Sequence, residues 1–477
     1  MPVFRMIAAG IALFCMLFPV GAAASPSGTF LLDNVGVLDL DGETPELRSD
    51  MAILIDDGVI LSVAPAAQTR REEGVTIIDG AGRIVMPGLV DMHVHVWDEA
   101  SLGAYLAAGV TTIRNASGMP FHLRLADRIA RGETLGPRLI TTGPILNSPG
   151  ANAQINHHVV STADEARAAV RQHHAAGYRR LKVYSNLTRE AYEAIRDEAA
   201  VLGMTIMGHT PEGVRAAGVP YDKPFAIGFE ELLDDGFVTI EHVESIVWHG
   251  LRDAHDENAA RQLARRIAAA GVPVDPTLLA FHNLLQVAET KGAYLTRSGT
   301  ERINPLLAAQ SQAEYDRWTA EDPVRHRAAF SFYQRMTKML AEEGVLLVAG
   351  SDAGIFTNVP GISLIEELEL LEGAGLSRAE VLRAATRNAA TALGEEAVFG
   401  RIAPGQRADL VLLESDPGTD LSALRSISAV VAGGRYLDRD RLDALLAQAA
   451  AHDVARTQRH LVEALEAQGI DTAALGF

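Results

Sequence analysis

The chain is nearly without cysteine: 477 residues hold a single one, Cys15. That excludes a disulfide-stapled scaffold and a small fold built round a structural zinc. Positive charge is also short, with 42 Lys+Arg against 61 Asp+Glu, a formal charge of -19. A surface so acidic repels phosphate at long range, which argues against nucleic acid and anionic membrane as partners and leaves small molecules. No glycine-rich phosphate loop follows any strand-like run, which argues against an open, doubly wound dinucleotide-binding sheet. What is plentiful is apolar sequence, 48% of residues, enough for a large core or for more than one domain.

The first residues read as an export signal. Arg5 is followed by an apolar run from Met6 to Val20 and by Gly21-Ala22-Ala23-Ala24 before Ser25, an A-x-A cleavage pattern. Cleavage after Ala24 removes Cys15, and the expected product is periplasmic or secreted, without thiols and without stable membrane insertion. Residues 25–86 carry short alternating runs such as Thr29 to Leu40 and Ala52 to Val63, separated by Gly and Asp turns, and similar texture returns over 398–437. The two ends are expected to share one small β-sandwich domain. Residues 438–477 are amphipathic and read as a packing helical segment.

Between them, over 87–397, apolar runs alternate with helical stretches, the pattern of parallel β/α units. Eight strands are expected: Leu89 to Val96, Val110 to Arg114, Arg138 to Thr142, Arg180 to Tyr184, Met204 to His209, Val238 to His242, Val272 to Thr277 and Val345 to Gly350. Eight is the number that closes a (β/α)8 TIM-like barrel. Strand alternation puts His93 and His95 of Asp91-Met92-His93-Val94-His95 on one face. Lys182 follows His93 by 89 residues, His209 follows Lys182 by 27, and His242 follows His209 by 33. A barrel of ~250 residues in eight units repeats every ~30, so these side chains share the carboxyl rim. From His242 to Asp352 is 110 residues, longer than whole repeats require, and the excess is assigned to an excursion over the barrel mouth at about 280–330.

These segments resemble the amidohydrolase superfamily: Val85-Met86-Pro87-Gly88-Leu89-Val90-Asp91-Met92-His93-Val94-His95, Lys182 in LKVYSNL, His209 in MGHTPE, His242 in TIEHVES, Asp352 in AGSDAG, and Gly400 to Leu410 as a C-terminal β-segment. The resemblance spans almost the whole chain and is nearest the imidazolonepropionase-like and prolidase-like branch. It implies two divalent metal ions, one held by His93, His95 and Asp352, the other by His209 and His242, with a CO2-derived carbamate on Lys182 bridging both. Nitrogen and oxygen ligands without thiolate suit zinc first, then manganese, iron or cobalt. The implied reaction is hydrolysis of an amide in a small molecule, such as a dipeptide or N-acyl amino acid. A metal-bridging hydroxide attacks, and Asp352 moves the proton to the leaving nitrogen.

The alternative is a mononuclear deaminase or cyclic-amide hydrolase, because His209-Thr210-Pro211-Glu212 has the H-x-x-E spacing that would give Glu212 the proton transfers. Lys182 has no use in that scheme. A barrel kept only for binding is a third reading, and the complete set of ligand positions argues against it. Substrate contacts are expected from Tyr184, two residues beyond Lys182, from Arg114 at the end of the second strand, from Asn156, His157 and His158 after the third, and from His282 at the start of the excursion. Homo-oligomerisation is left open.

Overall fold

A computed structural model describes residues 28–475. The segment read as an export signal, 1–24, lies outside the described residues. Strands from both chain ends form one mixed sheet, in the order Arg435–Asp438, Ile427–Ala432, Leu410–Leu413, Ile84–Pro87, Phe30–Asp39, Glu46–Asp56, Val59–Pro65, with Thr76–Asp79 beside Phe30–Asp39. The ends meet where Ile84–Pro87 runs antiparallel to Leu410–Leu413, Val85 opposite Leu412. Both faces of these two strands are buried, in different cores. Val85, Leu410 and Leu412 join Phe30, Val37 and Ile53 in the sheet's own core. Ile84, Met86, Val411 and Leu413 turn the other way into the barrel's core. Period-two alternation, apolar on both phases, thus fastens the β-domain to the barrel.

The barrel closes through parallel segments in chain order: Leu89–Val94, Val110–Asn115, Arg138–Thr141, Arg180–Val183, Thr205–Gly208, Phe237–Glu241, Val274–Asp275, then residues 346–353. The seventh strand is two residues long, shorter than its apolar run suggests, and the eighth is held by single bonds in place of a ladder. Val274 N–H donates to Leu346 O at 3.0 Å and Met92 N–H to Ala349 O at 2.9 Å, while Asp352 N–H donates to His93 O at 2.8 Å, closing the ring. Asp91 adds a side-chain staple: its carboxylate accepts from the Ser351 N–H at 2.9 Å and from the Ser351 hydroxyl at 2.5 Å. Gly350 sits in the seam, where a Cβ would lie 2.1 Å from Asp275 Oδ2 and 2.7 Å from the His93 Cβ.

The third strand differs from the sequence expectation. It breaks at Gly143-Pro144, and Ile145–Asn147 then pairs with Arg180–Val183 on one side and with a short added strand, His157–Val159, on the other. His157, expected in a loop, therefore opens a strand. The 280–330 excursion is helical, with Leu278–Glu289, Pro305–Gln310 and Gln312–Ala320 leading into Pro323–Glu342. The C-terminal segment is two helices, Arg439–Gln448 and Val454–Ala467, because Asp453 caps the second by accepting from the Arg456 N–H. Among the described residues, no helix is long and apolar enough to cross a membrane.

Candidate metal centre

His93 and His95 project together from the end of the first strand. His242 follows the sixth strand with φ of 69°, and Asp352 follows the eighth with φ of 53°. Left-handed conformations are uncommon for non-glycine residues and mark positions where surroundings fix the backbone. Here they turn both side chains toward the barrel axis, where Lys182 arrives from the fourth strand and His209 from the fifth. All six line one cavity of about 380 Å³.

Each histidine is held by its Nδ1. His93 Nδ1 lies 2.6 Å from Glu241 Oε2, His95 Nδ1 2.8 Å from Ser117 Oγ, His242 Nδ1 2.5 Å from Thr277 Oγ1, and His209 Nδ1 3.3 Å from Ser245 Oγ. A carboxylate can only accept, so Glu241 fixes the proton of His93 on Nδ1 and leaves a lone pair on Nε2. That lone pair faces Lys182 Nζ at 2.8 Å and Asp352 Oδ1 at 3.4 Å, and His95 Nε2 stands 3.1 Å from the same carboxylate oxygen. Ligand atoms of His93, His95 and Asp352 all lie within 4.8 Å of one another. Electron-rich atoms converging in a buried space, each oriented by an outer partner, fit a divalent cation.

The surroundings tune these groups in one direction. Burial holds the His93 and His209 imidazoles well below their ordinary range and brings His242 down to about 4. They stand as neutral ligands at physiological pH. Burial also pulls the Lys182 ammonium down to about 8 against the opposing pull of Glu241 and Asp352. A lysine so placed carries an appreciable free-amine fraction near neutrality. Burial pushes the Asp352 carboxyl up, but His93, His95 and His242 outweigh it and hold the group below the usual carboxylate range. A second trio, His93, Glu241 and Asp275, also sets one atom each within 4.8 Å, with Glu241 already engaged by His93 and Arg114.

Of the expected substrate contacts, Tyr184 and His157 reach the cavity. The Tyr184 ring packs 4.1 Å from that of His209 and 4.9 Å from that of His157. Three expectations are corrected. Arg114 does not face substrate: it is buried in the barrel interior, giving Nε to Met92 O, Nη1 to Thr239 Oγ1 and Nη2 to Glu241 Oε1. It holds the carboxylate that holds His93. His158 turns from the cavity to meet His173, Nδ1 to Nε2 3.1 Å, because neighbours on the added strand point to opposite sides. His282 lies against Phe330 on the helix Leu278–Glu289, beside the cavity and not in its wall. Asn156, by contrast, is in the wall.

The buried Arg114–Glu241 pair gives a stability test. Arg114→Met leaves Glu241 charged and buried without its cation, and a loss of about 3–5 kcal/mol in urea unfolding is expected. Arg124→Met, breaking a well-exposed pair with Glu463, should shift stability by less than about 1 kcal/mol. Equal shifts would deny Arg114 its role.

A closed parallel barrel with histidines, a lysine and an aspartate gathered at its carboxyl rim is the architecture of a metal-dependent hydrolase. Residues 84–437 match the model of the amidohydrolase family, and the chain belongs to it. It is a hydrolase of carbon–nitrogen amide bonds. Over 428 residues it is 26% identical to the imidazolonepropionase of Rubrobacter xylanophilus, spanning 84% of this chain and 92% of the relative. Its fold superposes on bottromycin amidohydrolase with a TM-score of 0.71 and 26% identity, covering 94% of this chain and 92% of the other. A candidate prolidase from Bifidobacterium longum gives a TM-score of 0.66 at 28% identity, covering 89% and 100%.

Proposed function

We propose that the protein is an exported binuclear amidohydrolase that cleaves an amide bond in a small molecule. His93, His95 and Asp352 hold one divalent ion, zinc first, and His209 and His242 the other. Lys182, carboxylated by CO2, joins the two. The observation that carries this reading is Lys182: a buried amine, 2.8 Å from His93 Nε2, inside a ring of imidazoles. Carboxylation turns R–NH2 and CO2 into R–NH–COO⁻ and a proton, replacing a cation that would repel metal with two oxygens that attract it. Bound there, the ions supply Lewis-acid polarisation of the scissile carbonyl and an acidified water.

The protein's own groups do the rest. His157 Nδ1 lies 3.2 Å from Asn147 Nδ2 and 3.4 Å from the Gln154 N–H, and Asn147 is oriented by taking the Asn186 N–H on its Oδ1. Two donors aimed at Nδ1 leave the His157 proton on Nε2, which is buried without a partner among the described residues. That N–H and the Tyr184 hydroxyl are the donors available to the carbonyl oxygen as it gains charge. Asp352 takes the water proton and returns it to the leaving nitrogen as the carbon–nitrogen bond breaks.

Glu212 supports the mononuclear alternative poorly. Both its oxygens are taken, by Arg215 Nε at 2.8 Å and Nη2 at 3.1 Å, with Trp248 Nε1 at 3.2 Å. Metal counted per chain separates the readings: about two for the proposal, one for the alternative. Chelation should abolish hydrolysis of a responsive dipeptide or N-acyl amino acid, with activity returning on adding zinc, manganese or cobalt; activity that persists without metal would sink the proposal. Export belongs to the same reading, and an N-terminus at Ser25 in protein recovered from outside the cytoplasm checks it.

A further inference from the structure

The chain has three tryptophans, and all three, Trp97, Trp248 and Trp318, line the one cavity in front of the metal centre. They come from separate places: just after the first barrel strand, from the helix Val243–Leu251, and from Gln312–Ala320 of the excursion. Amide hydrolysis by itself asks for none of them. Large rings on several sides of one space match a bulky, flat or aromatic ligand.

The charges are as selective as the rings. Among the described residues, two guanidiniums reach this cavity, and both are committed. Arg215 grips both oxygens of Glu212 and lies 4.6 Å over the Trp248 ring, while Arg317 pairs with Glu314 at 3.0 Å. Lys182 and Asp352 belong to the metal centre. What remains is Glu244, which lines the cavity and has no cationic partner within ion-pair distance among the described residues; its hydrogen bond comes from Ser245 Oγ at 3.2 Å. A substrate carboxylate would find no free guanidinium here and would face Glu244. An ammonium would find a carboxylate that has no cation of its own.

Resting on the amide-hydrolase reading, we infer that the preferred substrates are aromatic amides carrying a free amine and no free carboxylate, of the aminoacyl-arylamide kind, with Glu244 receiving the ammonium. This narrows the amide class away from N-acyl amino acids. Glu244 also touches Ser245, which contacts His209 Nδ1, so a positioning role has to be separated from a recognition role.

The test uses the metal-loaded full chain. Because every tryptophan lies in the cavity, quenching of intrinsic fluorescence reports its occupancy. Phenethylamine should bind roughly 10- to 100-fold tighter than its uncharged isostere 2-phenylethanol, the range of a charge-assisted hydrogen bond. Glu244→Gln should shrink that ratio to about 3-fold or less, and Glu244→Asp should restore part of it. The kinetic arm compares phenylalanine 4-nitroanilide with its N-acetyl form, the free amine being favoured through KM. Equal binding of amine and alcohol, or a preference that survives Glu244→Gln, overturns the inference. So does a Glu244→Gln variant that loses metal and slows both anilides alike, which would make Glu244 a positioning residue for His209. If neither anilide is hydrolysed while the amine preference holds and depends on Glu244, the proposed reaction fails and the recognition stands.

Discussion

Lys182→Ala should lose essentially all amide hydrolysis and bind about one metal ion or fewer in place of two. Removing an outer partner of a metal ligand costs roughly 10- to 100-fold, and removing the group that joins both ions should cost more than that, on the order of 10³-fold or beyond. Lys182→Arg is the informative companion. It fills the space but keeps a cation that cannot be carboxylated, so it should bind still less metal. Deleting three methylenes and the amine in Lys182→Ala leaves room for a small carboxylate, and added propionate should return part of the activity to the Ala variant and none to the Arg variant. The chain has four lysines, and Lys223, Lys291 and Lys338 are exposed. A carbamate formed with labelled CO2 should therefore give one slowly exchanging signal, absent in Lys182→Ala. Unchanged metal content and rate in that variant would end the bridged-centre reading.

The lysine and four histidines were legible because each stands near the end of an apolar run at a spacing the barrel repeat explains, whereas Asp352, set off by the excursion, was legible only through the resemblance of AGSDAG. What holds them was not. Glu241 directly precedes His242, and alternation would send neighbours to opposite faces, yet φ of 69° at His242 brings both into the barrel. Ser117, Thr277 and Asp91 are equally ordinary in sequence; their roles exist only once distant strands meet, as where Asp91 reaches Ser351. Arg114 was misread for a related reason. A strand-end arginine tells its face but not its depth, and three local acceptors claimed its donors before substrate could. The two-residue seventh strand escaped because apolar runs record burial, whereas pairing depends on the neighbours.

Asp352→Asn should lower kcat on amides by about 10²- to 10⁴-fold, the usual contribution of a positioned acid–base group. Asparagine is the right replacement. Asp352 has φ of 53°, a conformation asparagine tolerates far better than alanine. The backbone there is fixed without the carboxylate, by Asp352 N–H to His93 O at 2.8 Å and by Asn358 Nδ2 to Asp352 O at 3.1 Å. Thermal unfolding should therefore stay close to that of the parent chain. Asp352 has two roles in the proposal, metal ligand and proton carrier, and they respond differently to the leaving group. An amide nitrogen has to be protonated as it departs, whereas 4-nitrophenolate leaves as the anion. If Asp352 carries the proton, Asp352→Asn should lose at least about 10-fold more on an amide than on the matching 4-nitrophenyl ester. Equal losses on both, accompanied by lost metal, would leave Asp352 a ligand only and move the proton transfer to another group in the cavity.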